Sequence, residues 1–124
     1  MKFEVNDIDI RVIDRGGEDY FSLTNMIKAG WKNLRVSDWL RTKGTIEKLV
    51  AWECGNNKNF NWGEFAAIMV WMRKPGSKNF KMGVKDWVKR TGATGLIASP
   101  GRYGGTYGHR DIAIDFADWV DPLN

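Results

Sequence analysis

Residues 95–120 read GLIASPGRYGGTYGHRDIAIDFADWV. Leu96-Ile97-Ala98 and Thr106-Tyr107 predict short strands on either side of Pro100-Gly101-Arg102-Tyr103-Gly104-Gly105, a hairpin with a glycine-rich tip. The pattern then changes period. Ile112, Ala113, Phe116, Trp119 and Val120 recur at helical spacing and predict a helix over 110–120. The hairpin tip has two readings. It is a tight turn that needs glycine, or it is a wing. In a wing, small residues let backbone amides approach phosphates while Arg102 and Tyr103 reach into a groove. Gly101-Arg102-Tyr103-Gly104 also matches the GXXG of an RNA-binding KH loop, but that loop joins helices and these flanks read as strands.

A second hairpin opens the chain. In IDIRVID, residues 8–14, Ile8, Ile10 and Val12 share one face, as in a half-buried strand. Arg15-Gly16-Gly17-Glu18 is a turn, and 19–21 returns as its partner strand. Ser22 is placed to cap a helix over 23–29 that Gly30 ends. A helix over 35–42 turns Val36, Trp39 and Leu40 inward. Gly44 is expected to break it and Thr45 to cap a third helix through 54, with Ile46, Leu49 and Val50 as its apolar stripe. Phe65, Ile68, Met69 and Met72 predict a helix over 63–72, stopped by Lys74-Pro75-Gly76-Ser77. A helix over 84–91 buries Val84, Trp87 and Val88 and turns Lys85, Lys89 and Arg90 outward. These elements make an α+β domain of residues 1–124 with no internal repeat.

The 124 residues, 43 % hydrophobic and 27 % charged, suit one soluble core. Seven Trp and six Phe argue against disorder. No apolar run approaches the roughly 20 residues that span a bilayer. Acids in MKFEVNDIDI interrupt any signal peptide, and the single Cys54 permits no internal disulfide, as suits a reducing cytoplasm.

Charge is segregated along the chain. Residues 28–48 carry Lys28, Lys32, Arg35, Arg41, Lys43 and Lys48 against Asp38 and Glu47. Residues 73–90 carry Arg73, Lys74, Lys78, Lys81, Lys85, Lys89 and Arg90 against Asp86 alone. Both termini are acidic. A basic middle attracts polyanions more strongly than the net charge of +4 conveys, although lysines and arginines are also ordinary solvated surface residues.

Catalytic groupings are scarce. A nucleophile–base pair would need Cys54 or a serine beside the only histidine, His109, and no motif surrounds either. Cys54 reads as a small buried thiol and His109 as a packing or hydrogen-bonding residue. Asp111, Asp115 and Asp118 share a face of the last helix, where carboxylates could mimic a Mg²⁺ site; a solvated helix face is the stronger reading. There is no Cys or His cluster for zinc, and neither metal nor cofactor is expected.

The run Phe21-Ser22-Leu23-Thr24-Asn25-Met26-Ile27-Lys28, followed by Trp39-Leu40-Arg41, Thr45-Ile46-Glu47 and Trp52-Glu53, resembles the start of the KilA-N domain. Asn59-Phe60-Asn61, Phe65, Phe80 and Trp87 continue the resemblance. So do Gly101 to Ala113 and the closing Phe116 to Pro122. The similarity covers about residues 8–122, and its most specific element is GRYGGTY joined through His109 to a helix ending in Trp. It implies a DNA-binding domain of bacteria, phages and large DNA viruses, related to the winged-helix-like fungal APSES domain. The expected setting is the bacterial nucleoid or a virus's host cell. The helices after Ser22 then resemble a helix-turn-helix and the glycine-rich hairpin a wing. Lys32, Arg35, Arg41 and Lys43 would lie at or beside the second helix, and Arg102, Tyr103 and Thr106 on the wing. Two departures stand out: the apolar WGEFAAIMVWM of 62–72 and the basic 73–90, which has no APSES counterpart. The chain stops just past Pro122, where family members continue, which implies a domain cut from a longer protein with dimerisation or effector functions elsewhere.

The expected mechanism is phosphate neutralisation by the two basic stretches, Lys85 and Lys89 included, with counterion release supplying most of the affinity. Arg41 or Lys43 would donate to guanine from the major groove. The expected partner is double-stranded DNA. The rivals are an RNA-binding module stacking bases on Tyr103 or Tyr107, a protein-interaction module using 62–72, and a metal-dependent nuclease using Asp111 and its neighbours.

Overall fold

The computed structural model describes residues 2–5, 8–29, 35–73, 82–99 and 105–120. Strand β1 (Lys2–Val5) pairs with the first half of β2 (Ile8–Arg15), from Lys2↔Arg11 to Val5↔Ile8. The second half of β2 pairs with β3 (Glu18–Ser22) across Gly16 and Gly17, whose φ angles are 64° and 86°. Two successive positive φ values match a two-residue turn to the twist of the strands, and glycine adopts them without a Cβ clash.

Helix α1 (Leu23–Ala29) begins where β3 ends. Ser22 caps it as its sequence position predicts: its Oγ accepts from the Asn25 amide at 3.0 Å. Then come α2 (Val36–Leu40), α3 (Lys43–Asn56), α4 (Trp62–Arg73) and α5 (Val84–Thr91). The chain closes with β4 (Leu96–Ser99), β5 (Gly105–His109) and α6 (Arg110–Val120). The sheet is antiparallel in the order β2-β3-β5-β4, with β1 laid along β2. The fold is the α+β one expected.

The core forms where the helices cover the sheet. Trp39 and Phe116 meet edge to face at 4.9 Å, both essentially inaccessible, among Ile10, Leu23, Leu40, Ile46 and Leu49. A second aromatic group joins α4 to α5, with Phe60, Phe65 and Trp87 in mutual ring contact.

The third helix departs from expectation at both ends. Gly44 lies inside α3, Thr42 holds the cap position, and Thr45 is buried within the first turn. The helix also runs past Gly55 to Asn56. A single glycine costs a helix only about 1 kcal/mol, which the burial of Thr45, Ile46 and Leu49 outweighs. The register of this helix overturns a second reading. Positions 46, 49 and 53 face inward, so Glu53 is buried and Cys54 is exposed rather than buried.

Glu53 is the main polar tie of the interior. Its carboxylate accepts from the amides of Thr94 (2.9 Å) and Gly95 (2.7 Å) and from the Asn57 side chain (2.8 Å). It thereby fastens α3 to the segment that leads into β4. Gly95 leaves room at this tie, since a Cβ there would stand 2.4 Å from Ile112 Cδ1 and 2.9 Å from Glu53 Oε2 and would displace them.

Candidate nucleic-acid interface

The first turn of α2, the start of α5 and the foot of the β4–β5 hairpin meet at an open groove of about 440 Å³. Val36 and Ser37 line it from α2, and Gly83, Val84 and Lys85 from α5. Ala98 and Ser99 line it from β4, and Gly105 and Thr106 from β5. Each contribution follows from local sequence. Val84, Trp87 and Thr91 anchor α5 in the core, which turns Lys85 and Lys89 outward. The cap residue Gly83 has no side-chain acceptor to offer. The first amides of α5, which no helix satisfies from within, therefore gain no partner from the cap residue's side chain. The hairpin foot is clamped by α1: the Thr106 amide donates to Thr24 Oγ1 at 3.0 Å. Gly105, at φ 147°, packs so closely that a Cβ would stand 2.8 Å from the same oxygen.

Among the described residues the lining holds one cation and three hydroxyl residues and no carboxylate. It offers donors over a floor of Val36, Val84 and Ala98, an arrangement suited to phosphate oxygens with sugar edges beneath. The sequence as a whole matches the KilA-N domain over residues 4–124. The chain belongs to the KilA-N family. That family consists of proposed DNA-binding domains and is non-catalytic. No curated protein and no solved structure matches the chain.

In this KilA-N domain Lys85 and Thr106 line the same groove, and Arg35, exposed, holds the N-cap of the helix that supplies Val36 and Ser37. Lys89 lies one turn beyond Lys85 and is exposed. Arg41 stands at the far end of α2, where its guanidinium donates to Asp38 at 2.7 Å. Lys43 opens α3, and its side chain is outside the described set. Lys32, Arg102 and Tyr103 lie outside the described residues, as do Gly30, the 74–77 stop and the hairpin tip at 100–104. The strands flanking that tip are present, so the KH match lacks its helices. Charge counting missed Ser37 and Ser99, because a hydroxyl carries no charge and their proximity arises only in the folded chain.

A second cleft, of about 400 Å³, lies between α3 and α6. Trp39, Leu49, Trp52 and Ile112 wall it, and Lys48, Asp111 and Asp115 form its rim. Lys48 Nζ donates to Asp115 at 2.7 Å, and this bond holds the ammonium pKa above its ordinary value. Trp52 Nε1 donates to Asp111 at 3.3 Å. The three aspartates of α6 thus do not converge, and among the described residues no three His, Cys, Asp or Glu are placed to hold a metal.

His109 is buried and caps α6. Its Nδ1 accepts from the Asp111 amide at 3.1 Å, so the other nitrogen, Nε2, carries the proton toward Glu18 Oε2 at 2.6 Å. The hydrogen-bonding role expected for it is the one this geometry describes. Tyr20 stands edge-on to the ring and donates to the Thr94 carbonyl at 2.8 Å. Burial, with Glu18 adding to it, pushes the Tyr20 phenol pKa up. Among the described residues no helix is long and apolar enough to cross a membrane.

Proposed function

We propose that this KilA-N domain binds duplex DNA through the groove between α2, α5 and the β4–β5 hairpin, as the DNA-reading part of a phage or bacterial transcription regulator or antirepressor. One observation carries the reading. Three segments far apart in sequence bring Lys85, Thr106 and the Arg35 end of α2 to one groove whose described lining holds no carboxylate. Arg35, Lys85 and Lys89 neutralise phosphates and release counterions, which makes affinity salt-dependent. Lys85 and the first amides of α5 share one phosphate neighbourhood. In this reading Arg41, once it leaves Asp38, or Lys43 donates to guanine acceptors in the major groove. Arg102 and Tyr103 of the glycine-rich sequence between the two strands add further contacts to DNA in this reading.

The test is a fluorescence-anisotropy titration with mixed-sequence duplex DNA, matched duplex RNA and single strands at several salt concentrations. Tightest binding to duplex DNA with a steep salt slope is expected. The slope should flatten by about 0.9 for each phosphate contact removed, as in Lys85→Ala and Arg35→Ala. Tighter binding to RNA, or no binding to any nucleic acid at low salt, would overturn the reading.

A further inference from the structure

Helix α4 buries one face and exposes another that is as apolar as a core. Ile68 is inaccessible, and Phe65, Met69 and Met72 pack with it against the domain. The opposite side carries Trp62 (47 % exposed), Val70 (59 %) and Trp71 (42 %), with Gly63, Ala66 and Ala67 exposed between them. Exposed apolar residues gathered on one helix face mark an interaction surface. We propose that this face pairs with the same face of a second copy, α4 against α4 and antiparallel.

The pattern is self-complementary. A two-fold axis between Ala66 and Ala67 sets Ala66 level with the partner's Ala67, Gly63 level with the partner's Val70, and Trp62 level with the partner's Trp71. The small residues let the backbones approach, and Gly63 leaves room for valine. Charge selects the direction. Glu64 lies near the start of α4, partly exposed and paired with Arg90 at 2.9 Å, and exposed Arg73 ends the helix. Antiparallel pairing brings each Arg73 toward the partner's Glu64 end, whereas parallel pairing sets like against like. A helix of 12 residues is about 18 Å long and offers less than the roughly 800 Å² per partner of a standard interface. The dimer is therefore weak.

Sedimentation velocity of the full chain without DNA, across a hundredfold concentration range, tests this. A reversible monomer–dimer equilibrium is expected. Val70→Glu and Ala67→Glu, both at exposed positions, should weaken it at least tenfold with unchanged circular dichroism and melting temperature. Arg73→Glu should weaken it less. A monomer at every concentration, or a dimer indifferent to both glutamates, would overturn the proposal. Because no DNA is present, either result leaves the DNA reading standing or falling by itself.

Discussion

Two clefts among the described residues have nearly the same volume, about 440 and 400 Å³, and they use charge in opposite ways. In the cleft between α3 and α6, Lys48 is held by Asp115, and the indole of Trp52 is engaged by Asp111. In the groove between α2, α5 and the hairpin, no described carboxylate pairs with Lys85 or with the neighbouring Arg35 and Lys89. Lys48 and Arg41 belong to the same basic stretch as Arg35, yet both are answered locally by an aspartate. A cation is more readily available to a ligand where the fold holds no acid against it, and a charge sum along the chain does not record that.

The comparison can be broken most severely at Glu53, the tie that both clefts share. Its helix walls the acidic cleft, and its carboxylate holds the segment entering the strand that lines the basic groove. Glu53→Gln replaces an acceptor with a donor facing buried amides. It should lower stability by about 3 kcal/mol in chemical denaturation. Next in size, Lys85→Glu should weaken duplex DNA binding by about tenfold or more at low salt. Lys48→Ala should change it less than about twofold, since exposed paired charges contribute little. Equal losses in the two variants would erase the distinction between the clefts. A finer cut is Ser22→Ala, which removes the cap of the helix whose Thr24 clamps the hairpin foot. It should cost about 1 kcal/mol and show as faster amide exchange at Thr106. The smallest effect is expected from Asp115→Asn. DNA binding should not change, and the Lys48 ammonium, followed by NMR, should titrate closer to its ordinary value. The sign follows from the raised pKa: the pair's stabilisation is present while Lys48 is charged in both states and is lost as pH rises through the folded-state value. The variant should lack that alkaline decline.

Much of this architecture is legible in the sequence because its signals are local. Gly16-Gly17 marks a two-residue hairpin, Ser22 a cap, and Ile112 to Val120 an amphipathic helix, and each is found where it was expected. The errors arise where a distant partner decides. Gly44 and Thr45 misplace a helix start because core burial overrides propensity. Cys54 is exposed where a buried thiol was expected, because Glu53 beside it, the acceptor of two amides some forty residues away, takes the inward position. The site is half legible for the same reason. Lys85 and Thr106 stand out by charge and by position in the hairpin, whereas Ser37 and Ser99 join them only once the folded chain brings α2 and β4 to one groove.

The junction between β5 and α6 has a mechanical consequence. The strand ends at His109 and the helix begins at Arg110, with no residue between them to act as a hinge. His109 locks the joint further by capping the helix with one ring nitrogen and holding Glu18 with the other. The strand that forms the hairpin foot and the last helix are therefore one continuous piece, and the helix end of that piece is seated in the core through Ile112, Phe116 and Val120.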